Sequence, residues 1–158
     1  MNIFVLDRDP MQSASMLCDK HVVKMALETA QILCTITNEL GGASPYKSTH
    51  KNHPCVKWAM ECQENFWWTY VHGLEICNQY YYRYGRIHKC RDVIVECYDT
   101  IHLLPRNGEM TPFALAMPDK YKSSNATISY RRYYANEKAH ILKYTNCTTP
   151  NFQPYVQP

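Results

Sequence analysis

A histidine, a lysine and a glutamate recur at helical spacing near the start of the chain. Leu17, His21, Lys24 and Glu28 lie four, three and four residues apart, which places them on one face of a helix. Val22, Val23, Ala26, Leu27, Ala30 and Leu33 supply apolar surface beside that stripe. A carboxylate held between apolar flanks can act as a general acid or base, so Glu28 is the first candidate catalytic group. Asp19, at the start of the same segment, is placed to orient His21 through a ring nitrogen. The same letters also fit a surface ion pair between Lys24 and Glu28 and a boundary histidine, so spacing alone leaves both readings open.

A second polar concentration, KSTHKNHPC, precedes the next helical pattern. Lys51, Asn52 and His53 fall where the free amides of a helix N-terminus attract anions, which makes them candidate substrate-phosphate contacts. The alternative there is a solvated loop in which Asn52 and His53 cap the helix. Asp19, His21, Glu28, His50 and His53 could together serve a metal-dependent nuclease or phosphohydrolase. However, no paired CxxC occurs and HxxH is a weak signal, so the expectation is no metal and no cofactor.

Aromatic and basic residues interleave at Phe66-Trp67-Trp68, at Tyr80-Tyr81-Tyr82-Arg83-Tyr84 and at Tyr130-Arg131-Arg132-Tyr133-Tyr134. Consecutive aromatics on a helix cannot all face one core, so some must meet solvent, a partner or a ligand. Arginine beside exposed tyrosine or tryptophan suits phosphate contact and base stacking. Tyr130, Arg131 and Glu137 are the candidates in the last cluster, with Tyr130 and Glu137 seven apart on one face. Arg83, Arg86, Lys89 and Arg91 are expected to form a basic surface.

The elements that must position these groups read as helical. Ile3-Phe4-Val5-Leu6 is a short strand or extended arm, closed by Asp9-Pro10. Helical patterns cover residues 11 to about 40, with a break near Asp19, then Pro54 to Gly85, 89 to 102 and 127 to 144. The Pro- and Gly-punctuated stretch from Leu103 to Ser124 permits at most a short helix, and the tail reads as an irregular strap. The fold class is therefore mainly α: a compact, single-domain, bundle-like fold over residues 1–158, with a short extended N-terminal segment and long irregular loops.

Composition sets the outer limits. At 158 residues and 46% hydrophobic, the chain has the size of one domain with a real core and is too apolar for global disorder. No run approaches a membrane span, and the first residues do not read as a signal peptide, so a cytoplasmic protein is expected. The 8 cysteines then read as reduced thiols, with Cys34, Cys62, Cys77 and Cys97 at core positions. The net charge of +3, from 17 basic and 14 acidic residues, permits a nucleic-acid partner without demanding one.

The segments NIFVLDRDP, LCDKHVVKMALETAQ, THKNHPCVKWA, YRYGRIH, TPFALAMPD and YRRYYANEKAHILKY resemble a family of small proteins of tailed phages and other DNA viruses, across almost the whole chain. In particular, Leu17-Cys18-Asp19-Lys20-His21 followed by Glu28-Thr29 is similar to the opening helix of the phage pyrimidine-dimer DNA glycosylases, also called endonuclease V. Asp19 and His21 match that motif, and Glu28 falls on the family's catalytic glutamate.

The resemblance implies a small helical enzyme that excises a damaged base and then cleaves the strand, in the cytoplasm of an infected host. The nucleophile would be the free N-terminal amine, with the glutamate stabilising developing positive charge and assisting proton transfer. Here that amine belongs to Met1, because Asn2 replaces the small residue after which the family loses its initiator methionine. Lys24 is the alternative amine. An α-amine in a peptide loses its proton near pH 8, which suits it to nucleophilic attack. The target nucleotide must leave the base stack, giving the aromatic and basic clusters a role. A non-catalytic nucleic-acid or host-protein binding domain is the remaining alternative.

Overall fold

A computed structural model describes residues 1–158 and shows six α-helices and no strand. These are α1 (Pro10–Ser15), α2 (Asp19–Glu39), α3 (Pro54–Ala59), α4 (Gln63–Tyr84), α5 (Cys90–Glu96) and α6 (Ala126–Glu137). Short 3-10 turns occupy Tyr98–Leu103, Asp119–Tyr121, Ala139–Ile141 and Gln153–Tyr155. The architecture is a mainly α, bundle-like fold, and no helix is long and apolar enough to cross a membrane.

Helices α2 and α4 form the centre. Gly73 of α4 makes their close approach feasible: a Cβ there would lie 2.5 Å from Thr29 Cγ2 and 3.2 Å from Ile94 Cδ1. Thr29 immediately follows Glu28, so this contact sets the depth of α2 directly behind the candidate carboxylate. Helix α4 ends at Gly85, whose φ of 67° is the left-handed C-terminal geometry that glycine adopts without a Cβ penalty.

The segment Asn2–Leu6 is buried in the core as an arm rather than a strand. Its backbone groups are satisfied by side chains instead of a neighbouring strand. Leu6 N–H donates to Ser13 Oγ, Ser13 Oγ donates to the Phe4 carbonyl, and Arg131 Nε donates to the Leu6 carbonyl. Asn2 Oδ1 accepts from the amides of both Ile3 and Phe4. Each buried backbone group needs such a partner, and a β-branched apolar run does not reveal who provides it. As expected, Asp9 caps α1 by accepting from the Met11 and Gln12 amides, with Pro10 as its first residue.

Three long helical patterns are shorter in the structure, for one recurring reason: distant polar groups take over the backbone. The break near Asp19 is real, separating α1 from α2. The Leu17 carbonyl accepts from Arg83, and the Cys18 amide donates to the Tyr134 hydroxyl. The pattern from Pro54 to Gly85 divides into α3 and α4 around an extended Cys62, where the Gln63 amide donates to the Pro105 carbonyl. The helix expected over 127–144 stops at Glu137, and the following chain peels away so that the Lys143 carbonyl accepts the first amide of α2, from Asp19. Residues 89–102 start as α5 and tighten into a 3-10 turn.

All eight cysteines are free, and seven are buried, including Cys34, Cys62, Cys77 and Cys97. Substituting Gly73→Ala should cost about 1–3 kcal/mol by overpacking. Adding Thr29→Ala to the same chain should recover part of that loss, as read by urea unfolding.

Candidate functional site: an N-terminal amine beside a carboxylate

The buried arm delivers the N-terminus to Glu28. The Asn2 amide donates to Glu28 Oε2 at 2.9 Å, and the Met1 amine lies 3.9 Å from the same oxygen. The other carboxylate oxygen lies 3.6 Å from Lys24 Nζ, so Glu28 is held between two amines. The Met1 side chain is only 2% exposed and packs against the core, whereas the residue as a whole is half-buried. Its solvent exposure therefore falls on the main chain, at the amine end. Asn2 completes the anchor, donating its side-chain amide to the Ala116 carbonyl.

Phe4 turns the arm with a φ of 42°, a strained conformation for a bulky residue. Its ring stacks on His21, with centroids 4.5 Å apart and planes 23° apart. His21 Nδ1 meets the Tyr134 hydroxyl at 2.9 Å, which donates to it when the ring proton sits on Nε2. Burial, reinforced by the positive charges of Lys138 and Lys24, pulls the His21 pKa down to about 4. His21 is thus neutral at physiological pH. Lys138 stands at the rim, its Nζ 5.9 Å from the Phe4 ring centre and 5.2 Å from that of Tyr133.

His53 caps α3 by accepting the Cys55 amide on Nδ1. Burial first, then the positive N-terminus and His50, hold its pKa below the ordinary value, with Glu28 opposing them. Met1, Lys24 and Glu28 are therefore neighbours, and His21 and His53 lie within reach of the surrounding charges. Lys51 instead pairs with Glu39 at 3.8 Å, and Asn52 is exposed on the loop before α3.

Other candidates are engaged elsewhere. Asp19 does not touch His21. It pairs with Arg83 at 3.2 Å and accepts from the amide and hydroxyl of Thr145, joining the start of α2 to the end of α4 and to the tail. Arg83 is accordingly 2% exposed and takes no part in a basic surface, which is left to its neighbours. Arg131 holds the arm and its exit through the Leu6 carbonyl, Asp7 and the Tyr155 hydroxyl. Tyr130 is fully buried, donating to the Ala114 carbonyl and accepting the Ala116 amide. Glu137 binds Tyr121 and Lys120. No group of three or more His, Cys, Asp or Glu side chains is gathered as a metal site.

Asn2, Phe4, Tyr134 and Lys138 join the site without having been singled out from spacing. Tyr134 carried a signal, lying four residues after Tyr130 and hence on the same helical face. Phe4 carried none, because its left-handed backbone is imposed by Asn2 and the surrounding core.

The fold is thus an all-helical domain that buries Asn2 to Leu6 and brings the N-terminal amine beside a glutamate. The family model for pyrimidine dimer DNA glycosylase matches residues 1–92, more than half of the chain and the part that contains Met1, His21 and Glu28. The chain belongs to that family, a DNA-repair enzyme family. No curated protein and no solved structure matches it.

Two predictions separate structure from chemistry here. Asp19→Ala leaves the Arg83 guanidinium buried without its counter-ion, so it should cost about 3–5 kcal/mol in urea unfolding. The second concerns acid. Fully buried His72, which has no partner on either ring nitrogen, is held by burial at a pKa of about 3. Unfolding returns both His21 and His72 to ordinary values near 6.5. The unfolded chain therefore binds more protons between about pH 6.5 and 4, and stability should fall as the pH drops through that window. His72→Phe should flatten the profile of unfolding free energy against pH.

Proposed function

We propose that the protein is a DNA N-glycosylase with abasic-site lyase activity, in which the Met1 amine is the nucleophile and Glu28 its catalytic carboxylate. The observation that carries this reading is the 3.9 Å approach of the Met1 amine to Glu28, with the methionine side chain anchored in the core behind it. Membership of the glycosylase family supports the same pairing.

The steps follow from the two groups. The amine lone pair forms a bond to C1′ of the nucleotide while the glycosidic C1′–N bond breaks, and the base leaves with a proton. The C1′–O4′ bond then breaks, O4′ takes up a proton, and the nitrogen, keeping its remaining proton, becomes an iminium at C1′. Glu28, between Met1 and Lys24, stabilises the positive charge that develops at C1′ and accepts or returns the protons. Loss of a C2′ proton then eliminates the 3′ phosphate and cuts the strand, and water releases the enzyme.

DNA is the partner on this reading, with Lys24 and Lys138, the two cations that act on His21, as its phosphate contacts. Neutral His21, stacked on Phe4, adds no further positive charge beside Lys24. The site of action is the cytoplasm in which the DNA is replicated.

Borohydride reduction on duplex containing an abasic site should trap a covalent protein–DNA adduct through Met1, located by peptide mass spectrometry. Glu28→Gln should lower strand cleavage by about 100-fold or more, within the range of general acid–base and electrostatic contributions. Acetylation of the Met1 amine should abolish the adduct. An adduct on Lys24, or undiminished cleavage by Glu28→Gln, would overturn the assignment.

A further inference from the structure

The buried arm has two ends. At the end away from Met1, residues Asp7 to Pro10 form one wall of an open cleft of about 930 Å³, with Gln63, Glu64, Trp67, Trp68, Arg106 and Met110 on the others. A cleft of this size accommodates a small organic ligand. Its chemistry does not depend on the amine at Met1.

Trp67 is 49% exposed, whereas Trp58 and Trp68 are 2% and 1% exposed. Within the Phe66-Trp67-Trp68 run, Phe66 and Trp68 face the core and Trp67 is left to solvent as an indole face without a protein partner. Trp68 forms the base of the cleft and donates its indole N–H to the Arg8 carbonyl, fixing the backbone that carries Arg8.

Charge in the cleft is decided by which groups are already engaged. Asp7 is paired with Arg131 and accepts the Asp9 amide, and Asp9 accepts two amides at the start of α1. Glu64 accepts the amides of Asn107 and Gly108. The Arg8 and Arg106 guanidinium groups have neither an ion pair nor a hydrogen bond within the chain, and both are exposed. Glu109 is the one carboxylate in the cleft that is equally free. An exposed indole beside two unengaged guanidinium groups matches a ligand with a planar face and a phosphate.

We infer that this cleft binds a nucleotide unit, with the base stacked on Trp67 and the phosphate held by Arg8 and Arg106. The unit is either a free nucleotide or one nucleotide of an unpaired DNA strand. Base stacking on an aromatic side chain tolerates any base, and guanidinium groups pair with phosphate in a bidentate fashion.

Because Trp67 is the exposed tryptophan, intrinsic fluorescence of the full chain reports on the cleft directly. Titration with dAMP, and separately with a short single-stranded deoxyadenosine oligonucleotide, should quench it to saturation. Deoxyadenosine and deoxyribose 5-phosphate should each bind at least tenfold more weakly than dAMP. The Arg8→Gln/Arg106→Gln double variant should lose about tenfold or more in affinity with unchanged circular dichroism. Trp67→Ala, followed by calorimetry, should lose a similar factor. Glu109→Gln, which removes the free carboxylate from an exposed position, should bind about two- to fivefold more tightly.

An oligonucleotide affinity at least tenfold above that of dAMP assigns the cleft to a strand, and equal affinities assign it to the free nucleotide. Absence of saturable quenching by both ligands at millimolar concentration would overturn the inference, as would affinity unaffected by the arginine pair. Glu28→Gln should bind dAMP as the wild type does, so failure of the glycosylase reading and failure of this one are separately visible.

Discussion

Burial of Asn2 to Leu6 behind a partly exposed Met1 is the constraint on which the rest of the structure depends. A chain end is ordinarily a frayed, solvated segment, because its terminal charge is costly to bury and its backbone has few partners. Here the Met1 side chain enters the core, Asn2 closes on its own arm, and the charged amine remains beside a carboxylate. The Asn2–Glu28 hydrogen bond ties the arm to α2 at the point where the amine emerges. If that amide were released, the amine would lose its position relative to Glu28.

The scaffold around the arm works to the same end. Gly73 brings α4 against Thr29, setting the height of Glu28, while the Asp19–Arg83 pair fixes the start of α2. Arg131 holds the arm's exit through the Leu6 carbonyl and Asp7. Residues with strong chemical character are thus spent on positioning. Buried ion pairs add little net stability over an apolar core, yet losing one partner is costly, so they enforce one geometry rather than deepen the minimum. The strained Phe4 backbone fits this pattern, since it carries the ring that packs His21.

Electrostatics near the amine are equally constrained. Lys24 and the N-terminus put positive charge around one carboxylate, while burial and nearby cations hold His21 and His53 below their ordinary pKa. Such an arrangement keeps His21 uncharged beside the lysines. The modest overall charge of +3 conceals this local concentration, because the acidic residues are engaged in caps and ion pairs.

Helical class, the break near Asp19, Asp9-Pro10 as a helix start and the His21–Lys24–Glu28 stripe were legible in the chain, because caps and 3.6-residue periodicity act over a few neighbours. Lys24 and Glu28 stand together for that reason, whereas the Met1 amine reaches Glu28 only through the buried arm. Other features needed the tertiary fold. Ile3 to Leu6 has the letters of a strand, but Ser13 and Arg131 satisfy its backbone and make it a buried arm. Asp19 and Arg131 have the chemistry of site residues, and only their distant partners reveal them as anchors. The helices are shorter than their periodicity implies because Arg83, Tyr134 and Pro105 supply backbone partners from far along the chain. Local composition decides what a segment can form, whereas long-range packing decides which buried groups are satisfied and which side chains remain free to act.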